Sequence, residues 1–513
     1  MTPGAAERGR ELVADVLVIG AGVVGTAIAR TLAAYQLDVV LAEAAPDVGT
    51  GTSKANTAIL HTGFDAKPGT LESRLLSRGS TLLRSYAAVA GIPVERTGAL
   101  LVAWTGEQEG ALPAIADTAR RNGYQAVRPV RASDLYAREP RLGPGARCAL
   151  EIPDESIICP WTTPLAFATE AERAGVRLRL SARVTGVHPA DGGHRVVTTR
   201  GPVRARWVVN AAGLGSDVVD GMFGGDGFTI RPRRGQLIVY DKLARPLLNS
   251  ILLPVPTART KGVLVAPTVY GNVLLGPTAE DIGSRDDTGT TADGLGALLA
   301  AGRRILPGLA GEEVTSSYAG LRAATEHADY QVYVDAGQRY ACAGGIRSTG
   351  LSASLGIAEY LVAEMERAGL ALRPRAGATP RDGAAPPVMP YIGEAGLRPY
   401  QDADRIAADP AYGEIVCHCE RVTRGEIRDA LVSPVPATDL GGLRRRTRAT
   451  NGRCQGFYCG ARVAALLAAA RGTGSGAAAG PDPARADPAS ADPAGADPAG
   501  RSDGARTADA AQQ

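Results

Sequence analysis

The first strong pattern in the chain is a change from a continuous apolar run to glycine and then to helical spacing. A buried strand is predicted for VADVLVIG, residues 13 to 20, because the run is rich in Val and Ile. An alanine-rich stretch with helical spacing follows and ends near Ala34, and a second strand is predicted for LDVVLAE, residues 37 to 43. The order of strand, glycine turn, helix and strand is typical of a nucleotide-binding βαβ unit.

Between the first strand and the helix, the glycines have the spacing G-x-G-x-x-G. Gly20 permits a tight turn, Gly22 lets the backbone approach a pyrophosphate, and Gly25 lets the helix pack close to the strand. Val24 lies in the same motif, at the helix N-terminus that faces the phosphates. Glu43 ends the second strand, where a carboxylate can accept hydrogen bonds from ribose hydroxyls. These residues are therefore predicted to bind a dinucleotide, either FAD or NAD.

A longer set of segments indicates which dinucleotide this is. The flavin-contacting segment of the D-amino-acid-oxidase-like superfamily is similar to GTSKANTAILHTGFDAKPGTLESRL, residues 51 to 75. Within that superfamily, the chain resembles the glycerol-3-phosphate oxidases and dehydrogenases and the L-2-hydroxyglutarate oxidases. The resemblance continues in stretches to residue 361, among them VVNAAGLGSD, residues 208 to 217, and GGIRSTGLSASLGIAEYL, residues 344 to 361. It implies that the cofactor is FAD.

Two of these stretches also have a physical interpretation. A strand that runs into a small-residue turn is predicted for VVNAAG, and a glycine-rich turn that opens a helix is predicted for GGIRSTGLSASLGIAE. Such turns place backbone N–H groups beside a dinucleotide or a flavin ring. The FAD contacts that the resemblance implies outside the first glycine motif are Thr52, Ser53, Asn56, Val184, Gly213, Gly345, Gly350 and Leu351.

One histidine stands inside the flavin segment. His61 follows the apolar residues AIL, and the resemblance places it close to the isoalloxazine. An imidazole there can accept a hydroxyl proton while the carbon-bound hydride moves to flavin N5. A structural histidine with satisfied hydrogen bonds is the alternative, because imidazole chemistry near neutral pH suits either role.

Basic residues within otherwise apolar or glycine-rich stretches indicate the charge of the substrate. Only four of the 56 basic residues are lysines, which favours a specific role for Lys261. An Arg fork binds a phosphate or carboxylate bidentately, whereas Lys adds a point charge. We predict that Lys261, Arg322 and Arg347 contact a small anionic substrate over the flavin, with Arg234 as a further candidate. Ordinary surface charge is the alternative for each of them.

Four cysteines near the end of the chain form two closely spaced pairs. Cys417 and Cys419 are separated by one residue, and Cys454 and Cys459 by four, after two predicted short helices. Four cysteines brought together in a reducing compartment imply a metal centre. The module resembles the bacterioferritin-associated-ferredoxin type of 2Fe-2S domain, in the version fused to the anaerobic glycerol-3-phosphate dehydrogenase subunit. The resemblance implies a 2Fe-2S cluster on these four ligands, with zinc as the alternative.

The predicted fold class is α/β: a Rossmann-type FAD-binding domain with an inserted α+β substrate domain, followed by a small helical four-Cys metal domain. With 513 residues, 45% of them hydrophobic, the chain has room for two or three domains. The oxidoreductase is predicted over 12–365, with FAD-binding parts at about 12–90, 160–220 and 335–365 and substrate-domain parts at about 91–159 and 221–334. The other predicted parts are a leader at 1–11, a connector at 366–413 that packs across the flavoprotein, the 2Fe-2S module at 414–471 and a disordered tail at 472–513.

Charge and hydropathy exclude other classes of function. The net charge of +3 is spread as Arg among Asp and Glu, which gives no sign of a nucleic-acid partner. No run of 18 apolar residues and no signal-like cleavage site occur, so we expect a cytoplasmic protein without a transmembrane segment. A partner would be needed to hold it at the inner face of the membrane.

The resulting hypothesis is an FAD-dependent dehydrogenase of a small anionic hydroxy compound. The resemblance favours oxidation of sn-glycerol 3-phosphate to dihydroxyacetone phosphate, with electrons leaving through the 2Fe-2S centre to a protein subunit or a membrane quinone pool. One alternative substrate is a 2-hydroxy acid such as L-2-hydroxyglutarate, or an amino or imino acid. A second alternative makes the four-Cys module a zinc-bound docking domain.

Overall fold

The computed structural model describes residues 11–256, 262–375 and 386–472. The predicted substrate contact Lys261 and nearly all of the predicted leader and tail lie outside these residues. The helices are α1 Val23–Leu32, α2 Leu71–Ala90, α3 Gly106–Arg121, α4 Ala132–Arg138, α5 Thr162–Arg173, α6 Ser216–Met222, α7 Ala292–Ile305, α8 Gly350–Arg367, α9 Ala403–Ala408, α10 Arg424–Val432, α11 Leu440–Thr447 and α12 Gly460–Gly472. The strands are β1 Leu12–Ile19, β2 Val39–Ala42, β3 Ile59–Leu60, β4 Val94–Glu95, β5 Ala99–Ala103, β6 Arg128–Arg131, β7 Cys148–Ile152, β8 Ser156–Ile158, β9 Arg177–Arg179, β10 Val184–Ala190, β11 Gly193–Thr198, β12 Val203–Asn210, β13 Arg231–Tyr240, β14 Ile251–Pro254, β15 Leu264–Pro267, β16 Val273–Gly276, β17 Glu280–Asp281, β18 Val314–Ala324, β19 Gln331–Asp335, β20 Tyr340–Gly344, β21 Ile415–Cys417 and β22 Val422–Thr423.

An eight-stranded sheet contains the predicted nucleotide-binding unit. Its main order is β10-β11-β12-β1-β2-β9, with β20 also on β12 and β19 on β20. β1 is parallel to both β2 and β12, and α1 follows β1 and packs against α5 and α8. Val16, Leu17 and Val18 of β1 are fully buried because both faces of this parallel sheet are covered. The Rossmann-type prediction is thereby confirmed.

A nine-stranded sheet forms the inserted part of the flavoprotein. Its main order is β17-β13-β16-β15-β14-β5-β7-β6, with β18 paired along β13. The sheet is mixed, since β14 is parallel to β5 while the other pairs are antiparallel. A small third sheet has the strand order β3-β8-β4, so β8 pairs with both β3 and β4. β19, at residues 331–335, belongs to the nucleotide-binding sheet. The last part of this sheet therefore begins a few residues before the predicted boundary near 335.

The connector and the C-terminal module both lie against the flavoprotein. Met389 and Ile392 of the connector are buried in the flavoprotein core, and the Met389 N–H donates to the Ala90 carbonyl at 2.8 Å. In the module, Thr423 and Glu426 form a reciprocal capping box at the start of α10. Helices α10, α11 and α12 surround a separate small core. No helix in the described ranges is both long and apolar enough to cross a membrane.

Candidate functional site

The glycine turn after β1 leaves room for a ligand but not for side chains. Gly20 has a φ of +100°, and a Cβ added there would lie 2.4 Å from the Ala211 carbonyl oxygen. A Cβ on Gly25 would lie 1.8 Å from the Gly20 carbonyl oxygen, so only glycine fits between α1 and β1. Helix α1 begins directly after Gly22, which as the N-cap residue has no side chain to cap this end. Its positive dipole end is therefore directed at the position of the predicted pyrophosphate.

Glu43 and Ser53 hold this turn in place. The two carboxylate oxygens of Glu43 accept the N–H groups of Ala21 and Ala45 at 2.7 and 2.8 Å. Ser53 Oγ accepts the Val23 N–H at 2.9 Å. Burial raises the pKa of Glu43, while the backbone N–H groups act in the opposite direction. The carboxylate thus orders the turn and keeps acceptor capacity for ribose hydroxyls.

Gly22 differs from the other two glycines, because a side chain there meets little of the protein. The nearest atom to an added Cβ is Ser53 Oγ at 3.2 Å. We expect Gly22→Ala to fold normally but to weaken FAD binding by about 1 to 3 kcal/mol, since the methyl group crowds the pyrophosphate. Titration of the apoprotein with FAD, followed by flavin fluorescence, measures this change. Gly106→Ala, in open space at the start of α3, is the control. Unchanged affinity in Gly22→Ala would contradict the pyrophosphate assignment.

The flavin segment is tied to β18. Thr52 Oγ1 donates to the Leu321 carbonyl at 2.9 Å, and the Tyr318 hydroxyl donates to the Asn56 carbonyl at 2.7 Å. The Asn56 side chain also bonds the Ser53 carbonyl and the Ala58 N–H, which fixes the local turn. These contacts bring the segment that carries Thr52, Ser53 and Asn56 against the strand that carries Arg322.

The other predicted FAD contacts surround the same sheet edge. Val184 begins β10, and the nearby Ala182 N–H donates to the Glu43 carbonyl at 2.7 Å. Gly213 and Gly345 have φ values of +57° and +62° and lie at turns after β12 and β20. Gly350 and Leu351 begin α8, where a Cβ on Gly350 would lie 3.9 Å from the Val24 side chain. The N-termini of α1 and α8 therefore lie close together.

His61 is held at both its backbone and its ring. Its backbone N–H donates to Ser352 Oγ of α8 at 2.9 Å. Its Nδ1 lies 2.9 Å from an oxygen of Glu155, whose side chain is completely buried. The other Glu155 oxygen accepts the N–H and the hydroxyl of Thr62. No sequence pattern identified Glu155. Its only signal was its position two residues before IICPW, residues 157 to 161, which also resembles the superfamily.

The predicted anion-binding residues have different surroundings. The Arg322 guanidinium lies against Gly235, where an added Cβ would be 2.7 Å from Nη1, and Nη1 donates to the Thr278 carbonyl at 3.3 Å. Burial lowers the pKa of Arg322, and the charge of Arg233 lowers it further. Among the described residues, no carboxylate forms an ion pair with Arg322. A partly buried guanidinium without a carboxylate partner favours an anionic ligand.

Arg347 and Arg234 are paired with carboxylates. Arg347 Nη2 lies 3.3 Å from Glu72 and also donates to a backbone carbonyl. Arg234 bonds Glu280 and Asp287. The structure thus brings Arg322 to the flavin segment with its charge uncompensated, whereas acidic neighbours already compensate these two arginines.

The four cysteines are neighbours in the module. The Cys419 thiol lies near Cys454 and Cys417, and the Cys459 thiol lies near Cys417 and Cys454. In the part of the chain that the structure describes, no three metal-binding side chains converge on one point. Four neighbouring thiols are a donor set that suits either a 2Fe-2S cluster or a four-cysteine zinc site. Burial and the neighbouring thiols raise the pKa of Cys459 to about 12, so a bound cationic centre would favour the ionised form of this sulfur.

The module is anchored to the nucleotide-binding region by a buried ion pair. Two guanidinium nitrogens of Arg446 donate to the two oxygens of Asp47, both at 2.8 Å. Burial would raise the pKa of Asp47, but Arg446 and then Arg445 lower it below the ordinary value. Asp47 follows β2 and Glu43, so the module contacts the same loop that surrounds the predicted nucleotide.

A second contact connects the flavin segment to the cysteines. The Trp161 indole donates to the Lys54 carbonyl at 3.1 Å and stacks on Tyr270, with ring centroids 5.0 Å apart. The Arg448 guanidinium lies 4.0 Å above the Tyr270 ring and donates to Glu420, which follows Cys419. Tightly packed side chains therefore lie between the two predicted redox sites.

Comparison with known proteins defines the class. The chain belongs to the FAD dependent oxidoreductase family, whose model matches residues 15–365, and residues 415–469 match the BFD-like [2Fe-2S] binding domain. It is therefore an FAD-dependent oxidoreductase with an attached iron-sulfur domain, which confirms the predicted cofactors, FAD and a 2Fe-2S cluster.

Individual relatives are more specific. The chain is 34% identical over 456 residues to a glycerol 3-phosphate dehydrogenase of Caloramator mitchellensis, covering 88% of this chain and 94% of that one. It is 27% identical over 515 residues to the anaerobic glycerol-3-phosphate dehydrogenase subunit A1 of Haloferax volcanii, covering 88% and 82%. Among solved structures, dithionite-reduced L-alpha-glycerophosphate oxidase from Mycoplasma pneumoniae with FAD bound aligns with a TM-score of 0.67 and 27% identity, covering 72% and 98%.

Proposed function

We propose that this protein oxidises sn-glycerol 3-phosphate to dihydroxyacetone phosphate and passes the electrons through its 2Fe-2S centre to an external acceptor. The observation that carries this proposal is the partly buried Arg322, which lacks a carboxylate partner among the described residues and lies on the strand bonded to the flavin segment. A guanidinium fork in that position binds the substrate phosphate bidentately. Relatives named for glycerol 3-phosphate support the choice of substrate.

The reaction removes a proton and a hydride from the secondary alcohol. His61 accepts the hydroxyl proton, and the carbon-bound hydrogen leaves with its electron pair as the C=O bond forms. FAD, when bound, accepts that hydride. Arg322 would hold the phosphate and so orient the alcohol for proton transfer to His61. Lys261 and Arg347 remain predicted contacts of the same anion. The glycine turn, Glu43 and the other predicted FAD contacts hold the cofactor.

Cys417, Cys419, Cys454 and Cys459 are proposed as the cluster ligands. These four neighbouring thiols would supply the four sulfur ligands that a 2Fe-2S cluster takes. The contacts of Arg446 with Asp47 and of Arg448 with Tyr270 keep the module on the flavoprotein. An electron-accepting subunit or a membrane quinone is the proposed acceptor. The subunit name of the Haloferax volcanii relative supports a multi-subunit arrangement.

A 2-hydroxy acid such as L-2-hydroxyglutarate, or an amino or imino acid, is the second candidate substrate. The observation in its favour is also Arg322, because a guanidinium fork binds a carboxylate as well as a phosphate. Anaerobic mixing with each compound and measurement of flavin bleaching separates the candidates. Rapid bleaching by L-2-hydroxyglutarate with none by glycerol 3-phosphate would contradict the proposed substrate.

Replacing Arg322 tests the anion site. Arg322→Lys keeps the charge but loses the planar fork, so we expect kcat/KM to fall by about 1 to 3 kcal/mol in transition-state stabilisation. The visible flavin spectrum should be unchanged. Steady-state kinetics with glycerol 3-phosphate measures the effect, and Arg206→Lys in an exposed ion pair is the control. Wild-type kinetics in Arg322→Lys and Arg322→Ala would remove this residue from the site.

A further inference from the structure

We propose that Glu155 is a positioning residue that orients His61 as the proton acceptor. The inference rests on the proposed function, in which His61 takes the hydroxyl proton. It starts from an asymmetry in burial: the Glu155 side chain is 0% exposed, whereas the His61 side chain is 25% exposed. The carboxylate therefore lies behind the ring, and the imidazole lies between it and the accessible side.

The hydrogen bonds of Glu155 converge on one short segment. Oε2 lies 2.9 Å from His61 Nδ1, and Oε1 accepts both the N–H and the hydroxyl of Thr62, at 2.6 and 2.9 Å. Buried carboxylates are destabilised unless they are paired and hydrogen-bonded. Within the described ranges, the ion pairs give Glu155 a single possible cationic partner, which is His61. Protonation of His61 is thus the event that neutralises this buried charge.

This arrangement selects one tautomer of the ring. An ionised carboxylate only accepts hydrogen bonds, so Nδ1 carries the proton and Nε2 carries the lone pair. The Ser352 hydroxyl holds the His61 backbone at 2.9 Å, and Glu155 holds the ring, so Nε2 has a defined direction. When Nε2 accepts a proton, the buried carboxylate stabilises the imidazolium. Glu155 therefore increases the basicity of His61 and aligns its basic nitrogen.

The neighbouring ionisable groups have other partners. Tyr124 faces Glu155, and burial raises its pKa, with the Asp154 and Glu155 charges acting in the same direction. Asp154 bonds both Tyr124 and Arg96. The ionisable side chains on and beside the elements around the pair include Asp65, Arg84, Glu95, Arg96, Tyr124 and Asp154.

A double-mutant cycle tests the role. Glu155→Gln, His61→Asn and the double variant are mixed anaerobically with glycerol 3-phosphate across a pH series, and the rate of flavin bleaching is followed. We expect Glu155→Gln to slow bleaching about 100-fold, the cost of a misaligned reacting group. In the His61→Asn background, the same change should cause no further loss, because Glu155 acts only through His61.

The pH dependence is a second measurement. Bleaching requires deprotonated His61, so the rate rises with pH through the titration of the imidazole. Gln cannot stabilise the imidazolium, and the acidic limb should move to lower pH in Glu155→Gln. Glu155→Asp keeps the charge but shortens the side chain, so the limb should stay near the wild-type position while the rate remains reduced. FAD content and thermal unfolding identify variants that fail to fold.

Three outcomes would overturn the inference. Wild-type bleaching in Glu155→Gln, with slow bleaching in His61→Asn, would show that His61 needs no carboxylate. An equal loss from Glu155→Gln in both backgrounds would assign Glu155 a structural role independent of His61. Wild-type bleaching in His61→Asn would instead remove His61 as the proton acceptor, so the failure of the proposed function itself is distinguishable.

Discussion

Replacing His61 by Asn is expected to slow flavin reduction by glycerol 3-phosphate by roughly 10²- to 10⁴-fold, the range for loss of a general base. Asn retains a donor for Glu155, so the buried carboxylate keeps a hydrogen bond and the fold is preserved. Without imidazole, no side chain at this position takes the hydroxyl proton as the hydride leaves. Anaerobic stopped-flow measurement of flavin bleaching gives the rate directly.

Substrate affinity separates this effect from a binding defect. Arg322 is unchanged in His61→Asn, so the substrate concentration for half-maximal bleaching should stay near the wild-type value while the maximal rate falls. His188→Asn, at an exposed position on β10, is the matched control. A wild-type maximal rate in His61→Asn would leave His61 as a structural histidine.

Replacing Cys459 by Ser is expected to abolish the iron-sulfur centre and turnover with the physiological acceptor. Cys459 is buried between Cys417 and α12, so loss of this thiolate leaves one iron incompletely ligated. Anaerobically purified wild-type protein should contain about two irons and two sulfides per chain. Metal and sulfide analysis, with electron paramagnetic resonance of the reduced protein, measures the loss.

Flavin bleaching by substrate should persist in Cys459→Ser. The reason is structural: the module has its own small core, separate from the sheets that carry the predicted FAD and substrate sites. Cys148→Ser, outside the module, is the control and should keep both centres. Unchanged turnover in Cys459→Ser would show that electrons leave the flavin by another route. Stoichiometric zinc without iron would refute the electron-carrying role of the module.

Several elements were predictable because they depend on neighbours in the chain. The strand, glycine turn and helix at β1 and α1 follow from apolar periodicity and from the conformations that only glycine adopts. The Thr423–Glu426 capping box was also predicted correctly, since its two hydrogen bonds close within three residues. The spacing of the cysteines, together with family resemblance, led to the iron-sulfur domain that the family match confirms.

Other features were not predictable, because their partners are far apart in the sequence. Glu155 and His61 are 94 residues apart, and Asp47 and Arg446 are 399 residues apart. No periodicity marks such carboxylates, since their burial depends on elements that pack over them from elsewhere. The same limit applied to Arg234, because its acidic partners Glu280, which lies opposite it on β17, and Asp287 are 46 and 53 residues away in the sequence.

The sequence, read together with the family resemblance, therefore determined the class of the protein: a Rossmann-type flavoprotein followed by a four-cysteine module. Glycine turns, helix caps and ligand spacings are local features, so they can be interpreted from the sequence without a structure. Only the tertiary structure decided that Arg322 is partly buried without a carboxylate partner in the described chain, that Glu155 lies behind His61, and that the module is anchored through Asp47. Charge compensation and desolvation depend on everything that surrounds a group, and distant segments supply those surroundings here.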